Sequence, residues 1–382
     1  MDETKSFPWW RNDAMIFAVL VALAAVAFTA TFFITKAYGR RQDSLARQWL
    51  QRGETALKAN RPADAVVAFR TALKYSHDST AYRLRLAQAL AADNQDSQAI
   101  AYFLGLWEEQ PGNGLYNLEL ARLYSQLGDT RRAARYYSGA IYGAWDVDPA
   151  VARRNARLEF IRFLLAHDYR TQAQAEAVIL AAGVAPNDIP SRLQAAKVLF
   201  DTGELDRALA EYSSLIRYDR VPAATGAGLA AFQLGKFESA IRYLNMALSE
   251  KAENPQIIRM LQEAKSVIDA DPNRRHISSW ERADRVLNAY VIAGRRLESC
   301  AATKNVPLEA NPPETDLQKL YSERATGPRL NKWKLASDPD MRDSVMDLVY
   351  QIEETTAQEC GMPTGKDWAL LMLSRYGEGV ER

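Results

Sequence analysis

The stretch Asn60-Arg61-Pro62-Ala63-Asp64-Ala65-Val66-Val67-Ala68-Phe69-Arg70-Thr71-Ala72 decides the fold, because its pattern returns 34 residues later, and again 34 after that. Ala65 becomes Ala99 and then Ala133; the aromatic four residues on is Phe69, Phe103 and Tyr137; the residue five before is Asn60, Asn94 and Gly128. A period of this length marks stacked helical hairpins that bury one face against their neighbours. Weaker copies follow, keyed on Ala173, Ala208 and Ala240.

The residue types that recur have physical reasons. Twelve residues before the key alanine stand Gly53, Ala87, Ala121, Ala196 and Gly228, small enough to let the two helices of a hairpin approach closely. Five before it stand Asn60, Asn94, Gly128, Asp168, Gly203 and Gly235, residues that enter the left-handed backbone region at low cost and so end the first helix.

These residues resemble the tetratricopeptide repeat family, with Trp49, Gly53, Ala65, Phe69 and Ala72 in the family's places in the first repeat. The second repeat carries Ala87, Ala99, Phe103 and Pro111, and the third Leu120, Ala121, Tyr124, Ala133, Tyr137 and Ala140. The array is expected over 45–254, with repeats at 46–79, 80–113, 114–147, 154–187, 189–220 and 221–254. The fourth is degenerate, Ile161 replacing the small residue and Ala177 the aromatic, and it follows an extra stretch around Asp146-Val147-Asp148-Pro149. The resemblance implies an α-solenoid of about six hairpins whose first helices line a groove for a protein partner. Mapped onto this sequence, groove positions are Arg47, Leu50, Glu54, Leu84, Gln88, Leu118, Arg122, Leu193, Lys197, Thr225 and Phe232. The subclass that grips C-terminal carboxylates uses a lysine and an asparagine where Leu50 and Glu54 stand here, so an amphipathic helix or extended peptide is the expected guest. Helical periodicity leaves open which of these leucines are interhelical core instead.

Ala14 to Ile34 is a run of 21 residues without a charge, long enough to cross a bilayer as a helix. Trp9, Trp10 and Tyr38 flank it as interfacial residues do, and Lys36, Arg40 and Arg41 stop it. A tail (1–13) and a single transmembrane helix (14–35) are expected, in place of a cleaved signal peptide, whose apolar core is shorter. The architecture resembles membrane-tethered repeat proteins of bacterial inner membranes. The side of the membrane stays open: Lys36, Arg40, Arg41, Arg47 and Arg52 outweigh Lys5 and Arg11, which favours a cytoplasmic array, whereas an uncleaved signal anchor and a disulfide would favour the outside.

With 382 residues, 48% apolar and net charge +1, the chain accommodates an anchor and two soluble units and has no global basic field for nucleic acid. Beyond the array, a capping helix is expected over 255–270 and a helical domain over 276–382. This region holds both cysteines, Cys300 and Cys360. In an oxidising compartment they would form a disulfide; in a reducing one they would stay thiols. Two cysteines and three histidines do not assemble a zinc site, and no cofactor motif is present: Gly361-Met362-Pro363-Thr364-Gly365-Lys366 lacks the phosphate-loop spacing. The composite expectation is an all-α, single-pass, non-enzymatic scaffold that holds a protein partner near a membrane. Its rivals are an enzyme with a converging polar pocket in 276–382, and a self-assembling structural protein.

Overall fold

The computed structural model describes residues 9–76, 79–248, 254–327 and 329–377, and these form helices and turns. The sequence-based tail falls partly outside them, as residues 1–8 do. Two compact units divide at His167 and Asp168, inside the stretch assigned to the fourth repeat.

The first unit holds α1 (Trp9–Lys58), α2 (Pro62–Tyr75), α3 (Thr80–Ala92), α4 (Asp96–Glu109), α5 (Gly114–Gln126), α6 (Thr130–Tyr142) and α7 (Pro149–Ala166), each packed on the next in chain order. Asn60, Asn94 and Gly128 turn the chain between the helices of each hairpin with φ of 54°, 57° and 73°. Gly53 lies against the ring of Phe69, where a Cβ would come within 2.4 Å. Phe69 and Phe103 have no exposed surface, and each such burial is worth on the order of 2–3 kcal/mol. The extra stretch after the third hairpin is pinned: Ala144 exchanges backbone hydrogen bonds of 2.7 Å with Gly112 and Gly114. The indole of Trp145 fills the space beside Gly114 and donates to the carbonyl of Ala140 at 2.9 Å.

The apolar stretch and the first helix of the array are continuous. From Trp9 to Lys58 the chain is one helix of 50 residues. No proline interrupts it, and one apolar window has a mean hydropathy of 2.5 with none of it buried. The hydroxyls of Thr29, Thr31 and Thr35 bond back to the carbonyls of Val26, Ala27 and Thr31 at 2.8–2.9 Å, so even the polar side chains of this stretch are satisfied within the helix.

The second unit contains α8 (Arg170–Ala182), α9 (Ile189–Thr202), α10 (Leu205–Leu215), α11 (Arg220–Gln233), α12 (Phe237–Leu248), α13 (Pro255–Ala270), α14 (Ser279–Lys304), α15 (Asp316–Thr326), α16 (Lys332–Ser337), α17 (Pro339–Cys360) and α18 (Gly365–Tyr376). Gly203 and Gly235 again take positive φ, 89° and 72°. Gly228 admits the Leu244 side chain, which would lie 2.5 Å from a Cβ there. The helix over 255–270, α13, is joined to the helices that follow it. Ala264, Val267 and Ile268 of α13 share one core with Ala283, Val286 and Leu297 of α14, Val349 and Ile352 of α17, and Leu370 to Leu373 of α18. Cys300 in α14 and Cys360, the last residue of α17, are bonded, with Cα atoms 5.8 Å apart.

Candidate functional site

In the first unit the first helices of successive hairpins, α1, α3 and α5, together with α7, are joined by a run of polar side chains. The Nε of Arg85 in α3 stands 3.6 Å from the carboxylate of Glu54 in α1, and its guanidinium donates to the Gln88 side chain at 3.1 Å. The Gln88 side chain faces Glu119 of α5 and favours its ionised form. Arg122 of α5 stands 3.4 Å from Glu119 and donates twice to Glu159 of α7, at 2.9 and 2.6 Å. The pattern is regular: Glu54, Gln88 and Arg122 each face a residue three places earlier in the next repeat frame, and the first and last of these are ion pairs. Fork-shaped donation by a guanidinium to a carboxylate is the strongest link of this kind.

Electrostatics follow from the geometry. Burial pushes the carboxyl of Glu119 above its ordinary range, opposed by the charge and hydrogen bond of Arg122. The hydrogen bond to Glu159 raises the pKa of Arg122 still further from titration, and burial works against it. Beside the ladder runs a line of leucines at one position of each first helix: Leu50, Leu84, Leu118 and Leu158. Leu50 and Leu84 are half-buried, whereas Leu118 and Leu158 are buried. The question left open by periodicity is thus answered position by position, with Leu118, at 6% exposure, serving mainly as core. Arg47 is exposed at the start of the same face. Glu54, Gln88 and Arg122 are engaged with their neighbours rather than free.

In the second unit the mapped positions fare differently. Lys197 is exposed and paired with Asp201 at 2.6 Å, and Leu193 and Thr225 are half-buried. Phe232 does not line an open groove. Its ring stacks on Trp368 of α18, centroids 5.9 Å apart, and meets Phe237 edge-on. Tyr376, at the end of α18, covers Gly235, where a Cβ would lie 2.4 Å from its ring. Within this unit α18 covers the mapped position Phe232 and the turn at Gly235, which a pattern read within single repeats does not reveal.

Three polar groups do converge in the C-terminal helices. Glu353 of α17, with no exposed surface, stands 3.4 Å from Arg296 of α14 and faces Asp367 of α18. Arg296 also donates to Thr356 and to the carbonyl of Gly361, both at 2.8 Å. Burial first, and the charge of Asp367 second, push the Glu353 carboxyl up to about 8, against the pull of Arg296. Glu353 is buried inside the bundle, and the cluster ties three helices together.

Models of the tetratricopeptide repeat match residues 56–116 and 193–255, one stretch in each unit. The chain carries tetratricopeptide repeats. Between the two matches lies the degenerate repeat, in which bulk has moved from the aromatic position to the small one: Ile161 and Ala177 are both buried. Among solved structures, the tetratricopeptide repeat protein YrrB, described as having an unusual peptide-binding site, is 17% identical over 51% of this chain and 98% of its own, with a TM-score of 0.39. PilF of Pseudomonas aeruginosa is 14% identical over 59% of this chain and 98% of its own, with a TM-score of 0.38. A domain of yeast Sti1 in complex with an HSP90 peptide is 18% identical over 58% and 99%, with a TM-score of 0.26. At such scores the ligands of these proteins remain facts about those proteins. Comparison with curated proteins finds no match.

The partners of the mapped groove residues, Arg85, Glu119 and Glu159, escape a search within one repeat. The signal lies between repeats: Glu54 to Arg85 and Gln88 to Glu119 are each 31 residues apart, and Arg122 to Glu159 is 37 because of the insertion.

Proposed function

We propose that the chain is a membrane-anchored, non-catalytic adaptor that holds an amphipathic helix of a protein partner along the face shared by α1, α3, α5 and α7. The observation that carries this reading is the pairing, on one face, of half-buried Leu50 and Leu84 with a charge ladder whose members are already oriented. Apolar anchors beside fixed charges suit a guest with one apolar and one polar stripe. Anchoring is supported by the bare apolar stretch of α1, since a continuous exposed apolar surface of that length calls for lipid or another apolar cover. We place the soluble part on the oxidising side of the membrane, which the Cys300–Cys360 bond supports; the Lys/Arg bias beside the span argues the other way.

Photo-crosslinking in cells tests the groove. A photoreactive residue at Leu84 or Gln88 is expected to give a discrete adduct with a different protein, and one at exposed Ala101 on α4 none. Adducts of twice the chain's own mass from the groove positions would instead support self-assembly. Equal labelling from both faces would remove the groove from the mechanism.

A further inference from the structure

The unbroken α1 has a consequence for the kind of partner the face can take. Glu54, the start of the ladder, and Leu50, the start of the leucine line, lie on the same rigid helix as the apolar stretch that ends at Ile34. At 1.5 Å per residue, Leu50 stands about 21 Å and Glu54 about 27 Å beyond Lys36, the first charge after that stretch. The first buried residue of the array, Ala46, comes only about 15 Å beyond Lys36. The neighbouring first helices are added sideways from α1, since the Glu54–Arg85 and Arg122–Glu159 pairs each cross from one helix to the next. A bilayer-spanning α1 therefore carries this face beside the membrane surface, at a height that no flexible linker varies.

We propose that the guest is a juxtamembrane amphipathic helix of a second membrane-anchored protein, docked across Leu50 and Leu84 at this fixed height. This rests on the anchored-adaptor reading above. A partner held in the same membrane meets the face repeatedly at the right level, and the tether raises its effective concentration. About six to eight extended residues bridge the roughly 21–27 Å between the headgroups and the face, so a short tail leaving a span is sufficient. A large soluble partner gains no such advantage, and the nearby bilayer restricts its approach. The exposed basic side chains of Lys36, Arg40 and Arg41 mark the level at which anionic headgroups would sit.

The test uses the full-length chain in native membranes with the photoreactive residue at Leu84, and maps the cross-linked peptide of the adduct by mass spectrometry. The cross-linked site is expected within about 20 residues of an apolar span in the partner's own sequence. A second form carries twelve Gly/Ser residues inserted after Gly39, which frees the height of the array while keeping its repeats; adduct yield is expected to fall several-fold. An adduct with a protein that has no span, or an undiminished yield from the insertion form, overturns the proposal while leaving the groove reading standing. Absence of any adduct from Leu84 overturns both.

Discussion

At the scale of single residues, the hairpins depend on a few close approaches. A methyl group at Gly53 would meet the Phe69 ring at 2.4 Å, so Gly53→Ala is expected to destabilise the first unit by about 1–3 kcal/mol from overpacking, partly offset by the better helix propensity of alanine. Urea unfolding followed by Trp fluorescence measures it, and an unchanged or higher midpoint would show that Phe69 yields freely. Glu353 gives a pH dependence of definite sign. Its carboxyl stays neutral in the folded bundle up to about 8, whereas an exposed glutamate ionises near about 4.3. Between those values the folded state holds the extra proton, so the contribution to stability is full below about pH 4 and is lost as pH rises through about 8. Wild-type unfolding midpoints should therefore drop between pH 5 and pH 9 by more than those of Glu353→Gln, and parallel profiles would refute the assignment.

At the scale of elements, legibility depended on whether a feature is contained within one repeat. Turn geometry is: Asn60, Asn94, Gly128, Asp168, Gly203 and Gly235 all adopt positive φ, as a short list of permissive residue types at one register implies. Gly203→Ala is accordingly expected to cost about 1 kcal/mol and Gly203→Asn distinctly less, a ranking that thermal melts of the two variants would reverse if the turn were unstrained. The start of α17 is as local: Asp338 accepts from the Met341 amide as an N-cap and Pro339 occupies the first turn. The six residues of the short helix α16 carry too little periodicity to be legible in a sequence. Three other features lie outside any single repeat. Continuity of α1 results from the absence of any breaker between span and array, the ladder pairs residues across repeats, and Trp368 covers Phe232 from more than a hundred residues away.

At the scale of the whole molecule, an apolar helix, a repeat array and a disulfide-closed bundle have different dependences on conditions. The Cys300–Cys360 bond closes a loop with a sequence separation of 60, which in the chain-entropy picture is worth about 4 kcal/mol. Replacing both cysteines by serine should lower the unfolding midpoint of the bundle and leave the 56–116 repeats as protected from hydrogen exchange as before; uniform loss of protection would contradict that separation. The adaptor reading depends most on the anchor, since fixed height, membrane-confined partner and groove orientation all follow from it. The most direct measurement is alkaline extraction of membranes containing the full-length chain, alongside a form that begins at Ser44. The full-length chain is expected to stay in the membrane pellet and the shortened form to be soluble with its helix content intact. Release of the full-length chain into the alkaline supernatant would contradict the anchored account.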